Sequence, residues 1–127
     1  MRLEILRFWE QAQEDLETAR YNSAGGKFYA AAFFCQQAVE KALKALYMHQ
    51  TKEPPPSTHS LVALGRLVGA PKSFHRFLKE LTAEYVISRY PNATDEIPAR
   101  LYDEEIVADY LAKAQEVLAW VRETLAV

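Results

Sequence analysis

Residues 28–46, FYAAAFFCQQAVEKALKAL, decide the fold of this chain. The first half of the stretch is apolar on every side of a helical repeat, which predicts burial on every side. The second half narrows to a stripe of apolar residues at helical spacing, which are Val39, Leu43 and Leu46. The helical period continues from about Lys27 to His49, so this segment is predicted to be the central, most buried helix of a bundle.

An amphipathic helix is predicted before the central one. Apolar residues recur at three- and four-residue steps from Ile5 to Ala19, with charged and amide residues between them. The segment Asn22–Gly26 ends this helix, because its paired glycines permit a tight helical reversal. Beyond the central helix, Pro54–Pro56 forbids helix and predicts a stiff extended connection.

A short third helix and a longer fourth helix are predicted next. Ser57 or Thr58 can cap the short helix, and Gly69 closes it. The fourth helix begins at Pro71, which suits a first turn, and ends before Pro91. Its apolar stripe consists of Phe74, Phe77, Leu78, Leu81 and Tyr85.

The rest of the chain predicts an irregular loop over Pro91–Tyr102 and a last helix that Asp103 caps. No segment alternates with the two-residue period of a strand. The expected fold is therefore all-α, an antiparallel up-and-down bundle of four long helices and one short helix. We expect one domain over residues 1–127, with its core at about 5–125.

Charge is unevenly distributed along the chain. The formal net charge is −2, which excludes a protein that coats nucleic acid by bulk positive charge. Residues 26–92 carry nine Lys and Arg against four acids, whereas 1–25 carry three against five and 93–127 three against eight. The basic middle either presents a local anion site or simply packs between acidic terminal helices.

Most catalytic and metal-binding patterns are absent. Cys35 is the only cysteine and lies in an apolar stretch, where cysteine behaves as a small buried hydrophobe. No His-Glu-x-x-His pair and no glycine-rich phosphate loop occurs. We therefore expect no metal and no cofactor. The N-terminus has no signal-peptide pattern and no apolar run reaches spanning length, so we expect a cytoplasmic protein and no membrane partner.

The segment Tyr85–Pro91 contains the best candidate binding residues. Arg89 lies at a helix end beside a rigid Tyr-Pro turn, and its guanidinium is suited to gripping phosphate. Tyr85 lies one helical turn before Arg89, and either Tyr85 or Tyr90 could offer a stacking surface. The alternative is that Arg89 complements the helix dipole and caps the last carbonyls.

Three further residues complete the candidate anion site. Lys41 and Lys44 lie on the less apolar face of the central helix, although Glu40 and Lys44 also have the spacing of an ordinary surface pair. Thr58-His59-Ser60 opens the short helix, and the N-termini of helices attract anions, so His59 could contact a phosphate. A simple hydroxyl cap is the alternative there.

The chain resembles the HEPN domain family. Residues Gln36–Leu46 resemble the signature of the second helix of that family. They are followed in family order by Thr58–Leu61, Ser88–Pro91 and Tyr102–Glu105. The resemblance covers residues 5–125 and implies a five-helix bundle that commonly dimerises. It also implies an association with a minimal nucleotidyltransferase, frequently as a toxin–antitoxin pair, and nucleotide binding.

The ribonuclease branch of the family carries an Arg followed, after four to six residues, by a His. Arg89 occupies a plausible Arg position, but the residues at the His positions are Thr94, Asp95 and Glu96. The spacing from Arg66 to His75 is too long. The chain is similar instead to the branch with Arg-Tyr-Pro in place of the motif, although Asn92 stands where an Asp is common. The absence of the His, which is the usual proton-transfer partner, argues against an enzyme.

The leading hypothesis is a module that recognises a nucleotide or RNA and works with a separately encoded minimal nucleotidyltransferase in a toxin–antitoxin-like pair. The alternatives are a ribonuclease toxin with a divergent catalytic pair and a purely structural protein–protein adaptor. We also expect a homodimer or a higher oligomer. The central helix and the rings of Phe74, Phe77 and Tyr85 offer more apolar surface than one small bundle readily covers, unless these rings fill the core.

Overall fold

Three long helices form the frame of the computed structural model, which describes residues 1–127. The helices in chain order are α1 (Leu3–Ala24), α2 (Phe28–Thr51), α3 (Leu61–Val68), α4 (His75–Thr82), α5 (Glu84–Ile87), α6 (Pro98–Leu101) and α7 (Glu104–Leu125), with a 3-10 turn over Lys72–Phe74. Helices α1, α2 and α7 pack against one another, and α3 to α6 pack along α2. There is no strand. The prediction of an all-α bundle is confirmed.

The reversal between α1 and α2 depends on its glycines, as predicted. Gly26 has φ of 77°, in the left-handed region that a side chain would disfavour. The Lys27 N–H donates to the carbonyl of Asn22 at 2.8 Å and closes the turn. The tight turn sets α1 and α2 side by side and antiparallel, and these two helices share the largest interface of the fold.

Helix α2 is the most buried element, as predicted, but its two halves differ from the expectation. The first half is not buried on every side, since Tyr29 is 37% exposed and Phe33 and Phe34 are half-buried. The second half is almost entirely buried, and this includes Glu40 and Lys44. The exposure along α2 therefore depends on the elements that pack on it, which are α1, α7, α3 and the short helices α4, α5 and α6.

The helix caps follow the sequence with one correction. The side chain of Ser60, not Ser57 or Thr58, accepts the Ala63 N–H at the start of α3. Thr58 instead accepts the Ser60 N–H at 3.0 Å, which holds the extended chain just before the helix. Gly69 ends α3 with φ of 74°, as predicted. Asp103 caps α7, also as predicted, by accepting the Ile106 N–H at 2.9 Å.

The predicted fourth long helix is divided, so the bundle has three long helices instead of four. A 3-10 turn precedes α4, and α4 ends at Thr82, one residue before α5. The Thr82 hydroxyl donates to the Leu78 carbonyl at 2.7 Å and accepts the Leu61 N–H of α3 at 3.1 Å. The bond from Leu61 links the interruption between α4 and α5 to the start of α3. The predicted loop Pro91–Tyr102 also contains the one-turn helix α6, which begins with a proline.

Two further structural findings bear on the possible classes of function. None of the helices combines the length and the apolar character needed to cross a lipid bilayer. Nowhere do three or more His, Cys, Asp or Glu side chains converge in a way that would hold a metal ion.

Candidate functional site

The guanidinium group of Arg89 lies among three aromatic rings. Its central carbon is 4.4 Å from the ring centre of Tyr85, 4.9 Å from that of Tyr90 and 5.5 Å from that of Phe33. Its one side-chain hydrogen bond is donated to the Tyr90 hydroxyl at 2.7 Å. No carboxylate forms an ion pair with it, and it does not cap a helix carbonyl. The result is an exposed, oriented cation without an anion.

The ring of Tyr85 is covered on both faces. The imidazole of His59 stacks on it with ring centres 4.0 Å apart and planes inclined by 15°. The Arg89 guanidinium lies at a similar distance and must occupy the opposite face, since one face cannot hold both groups at these distances. Tyr85 therefore positions Arg89 and His59, and it offers no free face to a nucleobase. Tyr90, which is 46% exposed, retains that possibility.

Glu40 orients His59 from within the bundle. One carboxylate oxygen of Glu40 lies 3.0 Å from His59 Nδ1 and also accepts from Gln36 Nε2 at 2.9 Å. The other oxygen accepts from the Lys44 ammonium at 3.2 Å. Glu40 and Lys44 are only 6% and 8% exposed, so the surface pair expected from the sequence is a buried ion pair. With Nδ1 directed at a carboxylate, Nε2 of the half-exposed His59 is left without a protein partner.

Lys41 faces the opposite way, towards α1. Its ammonium group donates to Asp15 at 2.6 Å and to Gln37 at 3.0 Å. Asp15 also accepts from Gln11 at 2.9 Å, so this ion pair is a structural link between α1 and α2. Lys41 therefore does not join the group around Arg89.

A buried carboxylate below the site holds α5 in place. Glu84 accepts hydrogen bonds from the hydroxyls of Tyr102 and Tyr110, the second at 3.1 Å. Burial raises the pKa of Glu84 above its ordinary value, although both tyrosine hydrogen bonds oppose this effect. Burial and the Glu84 carboxylate raise the pKa values of both tyrosines, which therefore remain donors. Since Tyr85 and Arg89 belong to the same short segment as Glu84, this cluster fixes the backbone that carries the site.

The structure thus brings together four of the six candidate residues, which are His59, Tyr85, Arg89 and Tyr90. Lys44 supports them through Glu40, and Lys41 lies apart; both ammonium groups are already engaged in ion pairs. The sequence did not predict that Glu40 orients His59 and pairs with Lys44 inside the bundle. One signal was present, because Gln36, Glu40 and Lys44 recur every four residues and so form a polar stripe along one side of the helix.

Cys35 is fully buried, and burial raises its pKa to about 12. The thiol therefore stays protonated at neutral pH, in agreement with the interpretation of Cys35 as a small core residue.

Comparisons with known proteins agree with this architecture. The model of the family described as HEPN domain matches residues 5–124. The crystal structure of TT1696 from Thermus thermophilus superposes with a TM-score of 0.88 at 30% identity, covering 97% of this chain and 99% of that one. ST0689, an archaeal HEPN homologue, superposes with a TM-score of 0.81 at 32% identity, covering 97% and 98%. No curated protein matches at a significant level. The chain belongs to the HEPN domain family.

Proposed function

We propose that this chain is a helical module that recognises a nucleotide or a nucleic acid, with the Arg89 guanidinium as its anchor. The observation that carries the proposal is an exposed guanidinium held by three rings with no carboxylate partner. Only one of its N–H groups has a partner within the protein. The remaining donors form a planar fork that suits phosphate oxygens, and the fixed geometry limits the entropy lost on binding.

The surroundings of Arg89 favour an anionic ligand with an aromatic component. The buried carboxylate of Glu40 is neutralised by Lys44 and bonded to His59, and that of Glu84 accepts from Tyr102 and Tyr110, so neither pairs with the guanidinium. Tyr90 projects beside Arg89 and is 46% exposed, which allows a base to stack on it. A phosphate on Arg89 with a base on Tyr90 describes a nucleotide.

We further propose that the module works with a separately encoded minimal nucleotidyltransferase in a toxin–antitoxin-like pair. The support is the resemblance of the Gln36–Leu46 and Ser88–Pro91 segments to the branch of the family without the ribonuclease motif. Co-expression with a minimal nucleotidyltransferase encoded beside this chain, followed by co-purification, tests the partnership. Separate elution of the two proteins would contradict it.

A ribonuclease activity is the second candidate, and one observation favours it. The motif lacks its usual His, but His59 lies across Tyr85 from Arg89 with its Nε2 free and its Nδ1 held by Glu40. An oriented imidazole can transfer protons at a hydroxyl while a guanidinium binds the adjacent phosphate. If this chain cleaves RNA, the cleavage is expected to require both His59 and Arg89.

We predict that Arg89→Ala weakens binding of a nucleotide or short RNA by about 1.5–3 kcal/mol, roughly ten- to hundredfold, the scale of a charge-assisted hydrogen bond. The free energy of unfolding is expected to fall by less than about 1 kcal/mol, because cation–π contacts at exposed sites contribute little. Titration of the fluorescently labelled ligand and urea denaturation on the same protein measure the two quantities.

Arg100→Ala is the matched control. Arg100 is also exposed, but unlike Arg89 it has a carboxylate partner, Glu96, at 3.8 Å. This control is expected to change neither ligand binding nor the free energy of unfolding appreciably. A large loss of stability in Arg89→Ala, together with no measurable ligand for the parent protein, would favour the purely structural adaptor. Hydrolysis of RNA by the parent that is lost in both Arg89→Ala and His59→Ala would establish the ribonuclease.

We predict self-association at micromolar concentration, although not for the reason given by the sequence. The rings of Phe74, Phe77 and Tyr85 are used within the bundle, since Phe77 is buried, Phe74 packs edge-on against Trp120 and Tyr85 is stacked on both faces. Other apolar side chains in the segment 86–97 are exposed, and they are Val86 at 47%, Tyr90 at 46% and Ile97 at 43%. Exposed apolar groups of this kind mark interfaces.

Analytical ultracentrifugation checks this prediction, with a dimer or larger species expected for the parent chain. The double substitution Val86→Ser with Ile97→Ser should shift the protein towards the monomer. Leu67→Ser is the control, because Leu67 is 54% exposed but lies on α3. A parent chain that sediments as a monomer would refute self-association.

A further inference from the structure

A second cationic surface lies between α3 and the start of α4. A groove there is lined by side chains and backbone from both helices and from the connection between them. Its apolar floor is formed by Val62, Ala70, Pro71 and Leu78. Its rim carries Arg66, Lys72 and His75, all exposed, and no acidic residue lines it. We call this feature the α3–α4 groove.

The cations of the α3–α4 groove are not neutralised within the protein. Residues 54–83 contain four Lys and Arg but one acid, Glu80. That acid lies outside the groove and pairs with Arg76 at 3.2 Å. Arg66 and Lys72 form no ion pair, although the chain carries 17 acidic residues. The groove therefore has an uncompensated positive charge that favours an anionic ligand.

The α3–α4 groove and Arg89 lie at opposite ends of the α3–α4 helix pair. The Leu61 N–H at the start of α3 bonds to Thr82 at the end of α4, so the two helices run antiparallel. At that end the pair adjoins His59, which precedes α3, and Tyr85, which follows α4. At the other end lie Gly69 and the cations of the groove. Helix α3 is eight residues long, about 12 Å, which corresponds to roughly two to four nucleotides of a single strand.

We propose that the α3–α4 groove is a second phosphate-binding subsite for the ligand of Arg89, and that this ligand is a single-stranded nucleic acid longer than one nucleotide. The inference rests on the proposed function. A track that combines cations with an accessible aromatic ring is the arrangement that binds single strands. An acidic peptide would use the charges but would have no use for the exposed ring of Tyr90.

The test compares a long and a short ligand on the same variants. The long probe is a fluorescein-labelled single-stranded RNA of about twelve nucleotides, a length that reaches both surfaces. The short probe is adenosine 5′-monophosphate. Lys72→Glu is expected to weaken RNA binding about tenfold at 0.1 M salt, because phosphate contacts dominate the affinity for nucleic acids. It should leave binding of the mononucleotide unchanged, whereas Arg89→Ala should weaken both.

Lys79→Glu is the matched control, because Lys79 is an exposed lysine of α4 that does not line the groove. It should weaken RNA binding by less than about threefold through general electrostatics. Arg66→Ala supplies an independent variant that should lower the slope of log affinity against log salt by about 0.7 for the single strand. A DNA strand of the same sequence shows whether the 2′-hydroxyl is read.

The outcomes separate the two proposals. Equal effects of Lys72→Glu and Lys79→Glu, or RNA bound no more tightly than the mononucleotide, would overturn the subsite. RNA binding that depends on Lys72 but not on Arg89 would overturn the proposed function and leave the groove as the binding surface. A parent chain that binds a glutamate-rich peptide but neither nucleic acid would overturn both.

Discussion

Glu40→Ala is expected to lower the free energy of unfolding by about 3 kcal/mol, because it leaves the buried Lys44 ammonium without a counter-charge. Lys44 is 8% exposed and reaches Glu40 at 3.2 Å. The substitution also removes the acceptor of Gln36 Nε2 and of His59 Nδ1. Urea denaturation followed by circular dichroism measures the change.

The matched control for Glu40→Ala is Asp109→Ala. Asp109 and Lys113 form a pair with the same order and spacing on α7 at 3.0 Å, but both side chains are about half exposed. Exposed pairs of this kind contribute about 0.3–0.5 kcal/mol, so the control should barely change stability. Equal effects of the two substitutions would mean that the Lys44 ammonium reaches solvent when Glu40 is absent. The buried ion pair would then contribute no more to the free energy of unfolding than an exposed pair does.

A double substitution separates the two roles of Glu40. Replacing a buried ion pair by apolar residues of similar size is often neutral or stabilising. Glu40→Leu with Lys44→Met should therefore fold with nearly the parent stability while leaving His59 without its carboxylate. If His59 contributes to ligand binding or RNA cleavage only when Glu40 orients it, that binding or cleavage should weaken in this stable variant. Unchanged activity would reduce Glu40 to a purely structural role.

The sequence predicted the parts of this fold that local chemistry determines. Helices α1, α2 and α7 each have a long apolar stripe and clear ends, such as Gly26 in the first turn and Asp103 at the last cap. Glycine in a left-handed turn and a carboxylate on an exposed helix N–H act on their immediate neighbours. Such features require no knowledge of what packs against them.

The fold differs from the sequence prediction where a contact with a residue distant in sequence determines the local structure. The interruption after α4 depends on Thr82, whose hydroxyl accepts an N–H from Leu61, 21 residues earlier. The cap of α3 moved from Thr58 to Ser60 because the chain stays extended after the prolines until α3 meets α2. Neither contact has a periodic signature, so spacing alone predicted a longer helix and an earlier cap.

The candidate site was predicted in part for the same reason. Tyr85, Arg89 and Tyr90 lie close together in sequence, so their proximity in space followed from one short helix. His59 also joins them, although its partner Glu40 lies 19 residues away and 26 residues separate it from Tyr85. The spacing of Glu40 and Lys44 permits a surface pair and a buried pair equally. Only the packing of α3 and α4 over that face decides between them.

Glu84→Ala is expected to lower the free energy of unfolding by about 3 kcal/mol at pH about 5, because the hydroxyls of Tyr102 and Tyr110 lose their buried acceptor. Glu84 is 6% exposed, and a cavity adds to the loss. Glu84→Gln should cost less, since an amide oxygen can still accept one of the hydroxyls. A change within about 0.5 kcal/mol for Glu84→Ala would contradict this account.

The same carboxyl group is expected to make stability depend on pH in an unusual direction. Burial raises the pKa of Glu84 above its ordinary value of 4.5, so the folded chain holds this proton more tightly than the unfolded chain does. The contribution of Glu84 to stability is therefore fully present below pH 4.5 and is lost as pH rises through the raised pKa. Glutamine does not titrate, so the stability of the parent relative to Glu84→Gln should decline from acid to neutral pH. Urea denaturation of both proteins across this range measures the difference. A parent chain that instead gains stability over Glu84→Gln as pH rises would show that the tyrosine hydroxyls favour the ionised carboxylate more than burial opposes it.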